Sequence, residues 1–206
     1  MQYLQIHPIN PQPRLISQVV AIVRNGGVIV YPTDSCYALG CQIGDKTAME
    51  RIQRLRKLDP AHNFTLMCRD LSDLSAYARV GNQEFRLLKS LTPGPYTFIL
   101  TASHEVPRRL QNPKRKTIGL RIPDQPITHA LLEALDEPLM SVTLILPDSP
   151  QPLTDPEEMR ERLGNQVDAI IDGGSCGSEP TSIIDLTGES PRLIRQGKGD
   201  TSFLTS

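Results

Sequence analysis

The sequence predicts a single-domain α/β fold: a twisted open sheet, partly parallel and partly antiparallel, with helices packed on it. Three observations predict it. The chain has 206 residues, a length that suits one large domain better than two small ones. Helix-period and strand-like segments alternate along most of it, as crossover connections in a parallel sheet require. Towards the C-terminus short strands follow one another at hairpin-like spacing, which adds an antiparallel part.

The elements are justified in order. Residues 1–13 carry three prolines and little periodicity, and read as an extended N-terminal arm with a short strand at "QYLQI". From Arg14, "RLISQVVAIVRNGG" places apolar residues at 15, 16, 19, 20, 22 and 23, a wide helical face that stops at Gly26-Gly27. Val28-Ile29-Val30-Tyr31 is a β-branched and aromatic strand. In "GDKTAMERIQRLRK", Asp45 is the expected N-cap and Ala48, Met49, Ile52 and Leu55 form the buried stripe. "FTLMC" reads as a strand, "LSDLSAYA" and "NQEFRLLKSL" as helices, "YTFILTA" and "TIGLRIP" as strands, "PITHALLEAL" as a helix and "PLMSVTLIL" as a strand. "DPEEMRERLG" is a helix opened by a proline near its first turn, and "VDAIID", "TSIIDLT" and "PRLIRQG" are three closing strands. No repeat or linker divides the chain, so residues 14–200 form the domain, with a C-terminal tail at 201–206.

Composition bounds the function. Hydrophobic residues at 38% and charged residues at 22% provide for a core and argue against disorder. Aromatics at 4% with no Trp argue against a stacking platform for single-stranded nucleic acid. The net charge of −1 means that any polyanion-binding surface is local. Cys36, Cys41, Cys68 and Cys176 form no C-x-x-C pair, and no histidine stands at metal-ligand spacing from a cysteine or another histidine. Free thiols in a reducing compartment and no resident metal are therefore expected. The first residues show no charged region followed by an apolar stretch, and no apolar run reaches membrane-spanning length. Both predict a soluble cytoplasmic protein without membrane contact.

Basic charge collects in three stretches: "RIQRLRK" at 51–57 with Arg51 and Arg54, "PRRLQNPKRKTIGLR" at 107–121 with Arg108, Arg109, Lys114, Arg115 and Lys116, and "PRLIRQGKG" at 191–199. Acid-free stretches in a neutral protein are what a docking surface for tRNA or double-stranded RNA would need; taken singly, each is also an ordinary solvated face. The "RQGKGD" segment could form a backbone nest for phosphate oxygens. It is neither a P-loop nor a dinucleotide fingerprint, and none occurs elsewhere in the chain.

"GGVIVYPTDSCYALGC", residues 26–41, sets a strand against Pro32 and then the polar run Thr33, Asp34, Ser35 and Cys36. Together with "SLTPGPYTFIL", "TIGLRIPDQPITHALLEAL" and "TSIIDLTGESPRLIRQG", it resembles the YrdC-like family of threonylcarbamoyl-adenylate synthases of tRNA modification, and most of all its YciO branch. The resemblance spans roughly residues 14–200. It implies a YrdC-like twisted open sheet with a basic concave face, and a reaction of L-threonine, bicarbonate and ATP. ATP or AMP with Mg²⁺ would bind transiently, and tRNA or double-stranded RNA would bind on the concave face. By the same resemblance Lys57 and Ser141 are the catalytic candidates and Lys57 and Arg195 hold the nucleotide, while Thr33, Thr117, Arg121, Thr143, Thr181 and Ser182 line the small-substrate pocket.

Two departures bear on the chemistry. The family's Lys-x-Arg pair reads Lys57-Leu58-Asp59, and its Ser-x-Asn pair reads Ser141-Val142-Thr143. A carboxylate in place of a guanidinium beside a polyphosphate reverses an interaction worth roughly 4 kcal/mol at about 4 Å near a surface, so weakened or altered synthase chemistry is expected. A plainer reading stands beside each candidate. Thr33 and Asp34 could cap a turn, and Lys57 could be a solvated residue favoured by the helix C-terminus. Asp59 could be an N-cap, a salt-bridge partner or a Mg²⁺ ligand, and Ser141 a packed hydroxyl. Arg121 alternates with Leu120 and Ile122 and so lies on the face opposite them. Cys36 is a buried small hydrophobe by default and a nucleophile only in a competing acyl-transfer reading.

Overall fold

The structure, a computed structural model, describes residues 1–59 and 62–204, so residues 205 and 206 of the expected tail lie outside it. Ten strands form one sheet: β1 (Gln2–Gln5), β2 (Ile29–Tyr31), β3 (Ala38–Gln42), β4 (Thr65–Met67), β5 (Tyr96–Thr101), β6 (Thr117–Arg121), β7 (Leu139–Thr143), β8 (Ala169–Asp172), β9 (Ser182–Asp185) and β10 (Arg192–Arg195). Their order is β1-β8-β2-β3-β7-β4-β6-β5-β9-β10. The β1–β8, β2–β8, β4–β6 and β5–β9 pairs are parallel and the other five are antiparallel, which is the mixed open sheet the sequence predicts.

Six α-helices flank it: α1 (Pro13–Arg24), α2 (Lys46–Arg56), α3 (Leu71–Tyr77), α4 (Asn82–Leu91), α5 (Pro126–Leu135) and α6 (Pro156–Leu163). Helix α2 starts where Asp45 accepts from the Ala48 N–H at 2.9 Å and buries Ala48, Met49 and Ile52. Helices α2, α3, α4 and α6 pack on one face of the sheet, on Leu39, Leu66, Phe98, Leu120, Met140 and Ile184. Helices α1 and α5 pack on the other, on Ile29, Tyr31, Ala38, Met67, Leu139, Ala169 and Ile171.

That second cover reaches only part of the sheet. Following the period-2 alternation from Met67 and Leu139, the same face continues into Thr65, Ser141 and Thr143, then Gly119 and Arg121 on β6. The uncovered half is polar, and it becomes the floor of a cavity.

The short strand expected at "QYLQI" forms β1, hydrogen-bonded along β8 at the sheet edge. Two local features differ from the sequence reading. Strand β3, hidden in the sequence by the polar run ahead of it, pairs with both β2 and β7. Of the three closing strands only β9 and β10 form a hairpin; β8 lies far across the sheet between β1 and β2.

Candidate functional site

The polar run after β2 folds as a tight turn. The Thr33 hydroxyl donates to the Cys36 carbonyl at 2.6 Å and accepts from the Ser35 and Cys36 N–H groups at 3.1 and 3.2 Å. Thr33 is buried inside the turn and sets the shape of the lip without lining the cavity. What the turn presents is Cys36, on the cavity wall, and Asp34, beneath it.

Asp34 and Arg121 form a buried ion pair at 2.6 Å, their side chains 8% and 6% exposed. The same Arg121 Nη2 donates to Ser35 Oγ at 3.2 Å, and the other Asp34 oxygen accepts from the Asp124 N–H at 2.9 Å. Buried charges persist only when paired and hydrogen-bonded, and this pair is knitted into three segments. Arg121 Nε, however, is buried with no acceptor among the described residues.

The cavity above it has a volume of about 230 Å³. Its floor is the uncovered sheet face: Thr65 and Met67, Thr97, Arg121, Ser141 and Thr143, Thr181 and Ile183. Gly119 keeps the floor low, since a Cβ there would meet Thr65 Oγ1 at 3.2 Å and Thr97 Cγ2 at 3.4 Å. The wall is completed by Cys36, Arg56, His62, Asn63 and Arg195. Among the described residues no acidic side chain lines it.

Two more guanidiniums are each tethered along one edge. Arg56 Nε donates to the Ile145 carbonyl at 2.7 Å. Arg195 donates through Nε and Nη2 to the Thr181 carbonyl at 3.2 and 2.9 Å. Burial pushes both pKa values down, and Arg121 adds like-charge repulsion at Arg195. Both stay protonated, because guanidinium begins so high. Burial pushes the Cys36 thiol up, against the opposing charges of Arg121, Lys198 and Arg195, so at neutral pH it is a thiol and not a thiolate.

The C-terminal strap closes one side. Ser182 Oγ donates to the Gly199 carbonyl at 2.6 Å and accepts from the Gly197 N–H at 2.9 Å, and Lys198 Nζ donates to the Asp34 carbonyl at 2.5 Å. The Tyr96 hydroxyl holds the Asp200 carbonyl at 2.9 Å.

The expected site residues divide. Arg121, Ser141, Thr143, Thr181 and Arg195 meet at the cavity. Ser141 is buried, accepting from the Tyr31 hydroxyl at 2.5 Å and donating to the Leu39 carbonyl at 3.3 Å, an arrangement that uses the hydroxyl as a packed link. Ser182 holds the strap, and Thr117, at the start of β6, does not line the cavity. Lys57 is the clearest departure. It caps α2 in the left-handed conformation, φ 50°, and lines a separate open hollow of about 650 Å³ with Arg54, Pro147, Asp148 and Arg162. The helix ends one residue before it, and Arg56 is the cation that enters the cavity.

Of the basic stretches, Arg51 holds Asp168 at 2.7 Å and Arg115 holds Asp185 at 2.7 Å. Arg54, Arg108, Arg109, Lys114 and Lys116 are without ion pairs among the described residues. The loop bearing the last four is fixed by buried Val106 and Leu110 and reaches the cavity rim where Asn112 Nδ2 meets Asn63 Oδ1 at 3.4 Å. The sequence reading missed Thr65, Thr97, Asn63 and His62. The alternation in "FTLMC" and "YTFILTA" carried the signal for the two threonines.

Residues 21–197 match the Sua5/YciO/YrdC family, described as "Telomere recombination". The chain is 62% identical over 199 residues to YciO of Escherichia coli strain K12, covering 97% of both proteins. The chain belongs to the Sua5/YciO/YrdC family. The crystal structure of E. coli YciO superposes with a TM-score of 0.94 at 61% identity over 98% of each chain. More distantly, the threonylcarbamoyl-AMP synthase of Klebsiella pneumoniae subsp. pneumoniae is 30% identical over 187 residues, 88% of this chain and 95% of the synthase. The fold is shared as well with P. abyssi Sua5 complexed with L-threonine, TM-score 0.87 at 24% identity, covering 96% of this chain and 58% of that one. The family is thus related to threonylcarbamoyl-AMP synthases, and the mixed open sheet is its fold. Among the described residues no helix is long and apolar enough to cross a membrane, and no three metal-binding side chains cluster.

Proposed function

We propose that this protein binds an adenylate of the threonylcarbamoyl-AMP class in the Arg56–Arg121–Arg195 cavity, with RNA docking beside it, and that its synthase chemistry is weakened or altered. One observation carries the reading: among the described residues, three guanidiniums ring a small acid-free cavity, and the buried Arg121 Nε has no acceptor. A buried donor without a partner costs about 1–3 kcal/mol, and a carboxylate or phosphate oxygen in the cavity would recover that. At about 230 Å³ the cavity falls below the usual ligand-pocket range of roughly 300–1,000 Å³. It suits the anionic part of the ligand, with a nucleoside reaching the open side. The hydroxyls of Thr65, Thr97, Thr143 and Thr181 suit an amino-acid or carbamoyl group.

ATP and L-threonine are the expected ligands of such a site. The lining fits phosphate better than Mg²⁺: with no carboxylate on the wall, the ion would arrive on the nucleotide's own phosphates. The altered chemistry is supported by Lys57, which lines the other hollow and not the cavity. RNA docking is supported by Arg108, Arg109, Lys114 and Lys116 on a fixed loop that touches the cavity rim. The same loop favours a second reading, a double-stranded RNA binder without turnover.

Titration calorimetry with AMP tests the cavity: binding that is lost in Arg195→Ala and in Arg121→Met supports the reading, and no binding in the parent protein overturns it. Pyrophosphate release from ATP, bicarbonate and threonine separates the two readings. A rate that rises in Asp59→Arg with Thr143→Asn supports altered chemistry, and no release with intact RNA binding leaves the non-catalytic binder.

A further inference from the structure

Among the described residues, one group lining the cavity changes charge near neutral pH. The three guanidiniums stay charged and the Cys36 thiol stays protonated, which leaves His62. It lines the cavity while remaining exposed, so it stands at the mouth. Its backbone N–H donates to the Asp59 carbonyl at 2.8 Å. Its ring packs edge-on against Phe64, centroids 6.0 Å apart at 84°, and Phe64 is itself 2% exposed. The imidazole is therefore held against a fixed wall beside the anion cavity.

Two charged groups act on it. Arg56, at the end of α2, disfavours a second positive charge, and Asp59, whose carbonyl holds the His62 N–H, favours one. Shielding from solvent comes first, and with Arg56 it outweighs Asp59, so the pKa lies below the ordinary histidine value. The neutral ring, with one nitrogen free to accept, is the form present at neutral pH. Among the described residues no other proton acceptor of comparable strength lines the cavity: Asp34 is held by Arg121 and the Asp124 N–H.

We propose that His62 is the proton acceptor of this site, serving the attack of water or an amine on the carbonyl of a carbamoyl–phosphate anhydride. This rests on the adenylate reading given above. The nucleophile's lone pair forms the new bond to the carbonyl carbon while its proton passes to the imidazole nitrogen. The bond from carbon to the bridging oxygen breaks, and its electron pair leaves on AMP, whose phosphate charge faces the guanidiniums. The imidazolium then returns its proton to solvent. With water as nucleophile the products are the free carbamate and AMP.

Two measurements separate this role from the binding it rests on. AMP release from threonylcarbamoyl-AMP is followed across pH in the parent protein and in His62→Gln, and AMP affinity is measured in both above neutral pH. The expected result is a parent rate that falls on acidification, a variant slower by about 10²–10⁴-fold with that acidic limb gone, and AMP affinity retained. The His62 ring resonance, titrated by NMR, should also move to a higher pKa when AMP is added. An unchanged rate and pH profile in His62→Gln would overturn the proton-transfer role and leave the adenylate reading standing, as would AMP binding with no turnover in the parent protein. Failure of the parent protein to bind AMP would overturn both.

Discussion

Replacing Asp34 with Ala tests the frame of the cavity. The substitution leaves Arg121, whose side chain is 6% exposed, without its counter-ion, and removes the acceptor for the Asp124 N–H. Breaking a buried pair from one side costs about 3–5 kcal/mol, because the remaining charge keeps its desolvation cost without the compensating attraction. For a chain of this length each kcal/mol corresponds to roughly 2–4 °C, so a fall in Tm of about 6–20 °C is expected. Urea unfolding should show the same loss as a lower midpoint with an unchanged slope. Arg121→Met should be similarly costly, and the double variant should cost less than the sum, with a coupling of about 1–3 kcal/mol. If the cavity accepts anions, phosphate should protect Asp34→Ala more than the parent protein, since the exposed guanidinium then has a partner. Saturation at a hundred times Kd would add about 2.7 kcal/mol. A cost below about 1 kcal/mol, with no coupling to Arg121, would refute the claim that this pair frames the cavity.

Further predictions concern the surroundings. Asp185, 3% exposed, would be raised by burial, but hydrogen bonds from Thr187 and Arg115 override this and hold its pKa at about 2. That stability is present above the ordinary Asp pKa and is lost as pH falls from there towards about 2; acid unfolding should show a loss on the order of 2 kcal/mol that Asp185→Asn lacks. Tyr31→Phe removes the 2.5 Å bond to Ser141, which keeps its own bond to Leu39, and should cost about 1 kcal/mol in urea unfolding. Gly40→Ala puts a methyl 2.7 Å from Leu139 Cδ2 and from Tyr31 Cε1, deep between β2 and β7, and should cost about 1–3 kcal/mol. Neutralising Arg108, Arg109, Lys114 and Lys116 together should flatten the salt dependence of RNA binding by a slope of nearly 0.9 per lost phosphate contact. An unchanged slope would remove that loop from the interface.

Much of the fold was legible because it rests on local periodicity. The apolar stripes of α1 and α2 and the Asp45 cap are encoded within single turns, and the alternation of Arg121 with Leu120 and Ile122 set it on the cavity face. What eluded the sequence depends on the path of the backbone. That Arg56 and not Lys57 enters the cavity is decided by a left-handed residue at the end of α2, and nothing in "RLRKLD" marks which residue takes that conformation. Thr33 and Ser182 have the side chains of a ligand-binding pocket and use them on their own turn and strap. Only the three-dimensional path shows that these hydroxyls are already engaged. Strand β8 was read beside β9 because sequence order suggests adjacency, whereas β8 is drawn away to pair with β1 and β2.

The strap has a consequence for biosynthesis. A ribosome releases the chain N-terminus first, so Thr33, Arg56, Arg121 and Ser141 emerge long before Arg195 and Lys198. Until those late cations arrive, the lip of the hollow lacks the Lys198 tether and one of its three guanidiniums. A nascent chain thus carries most of the cavity floor before the strand that supplies its third guanidinium has been made.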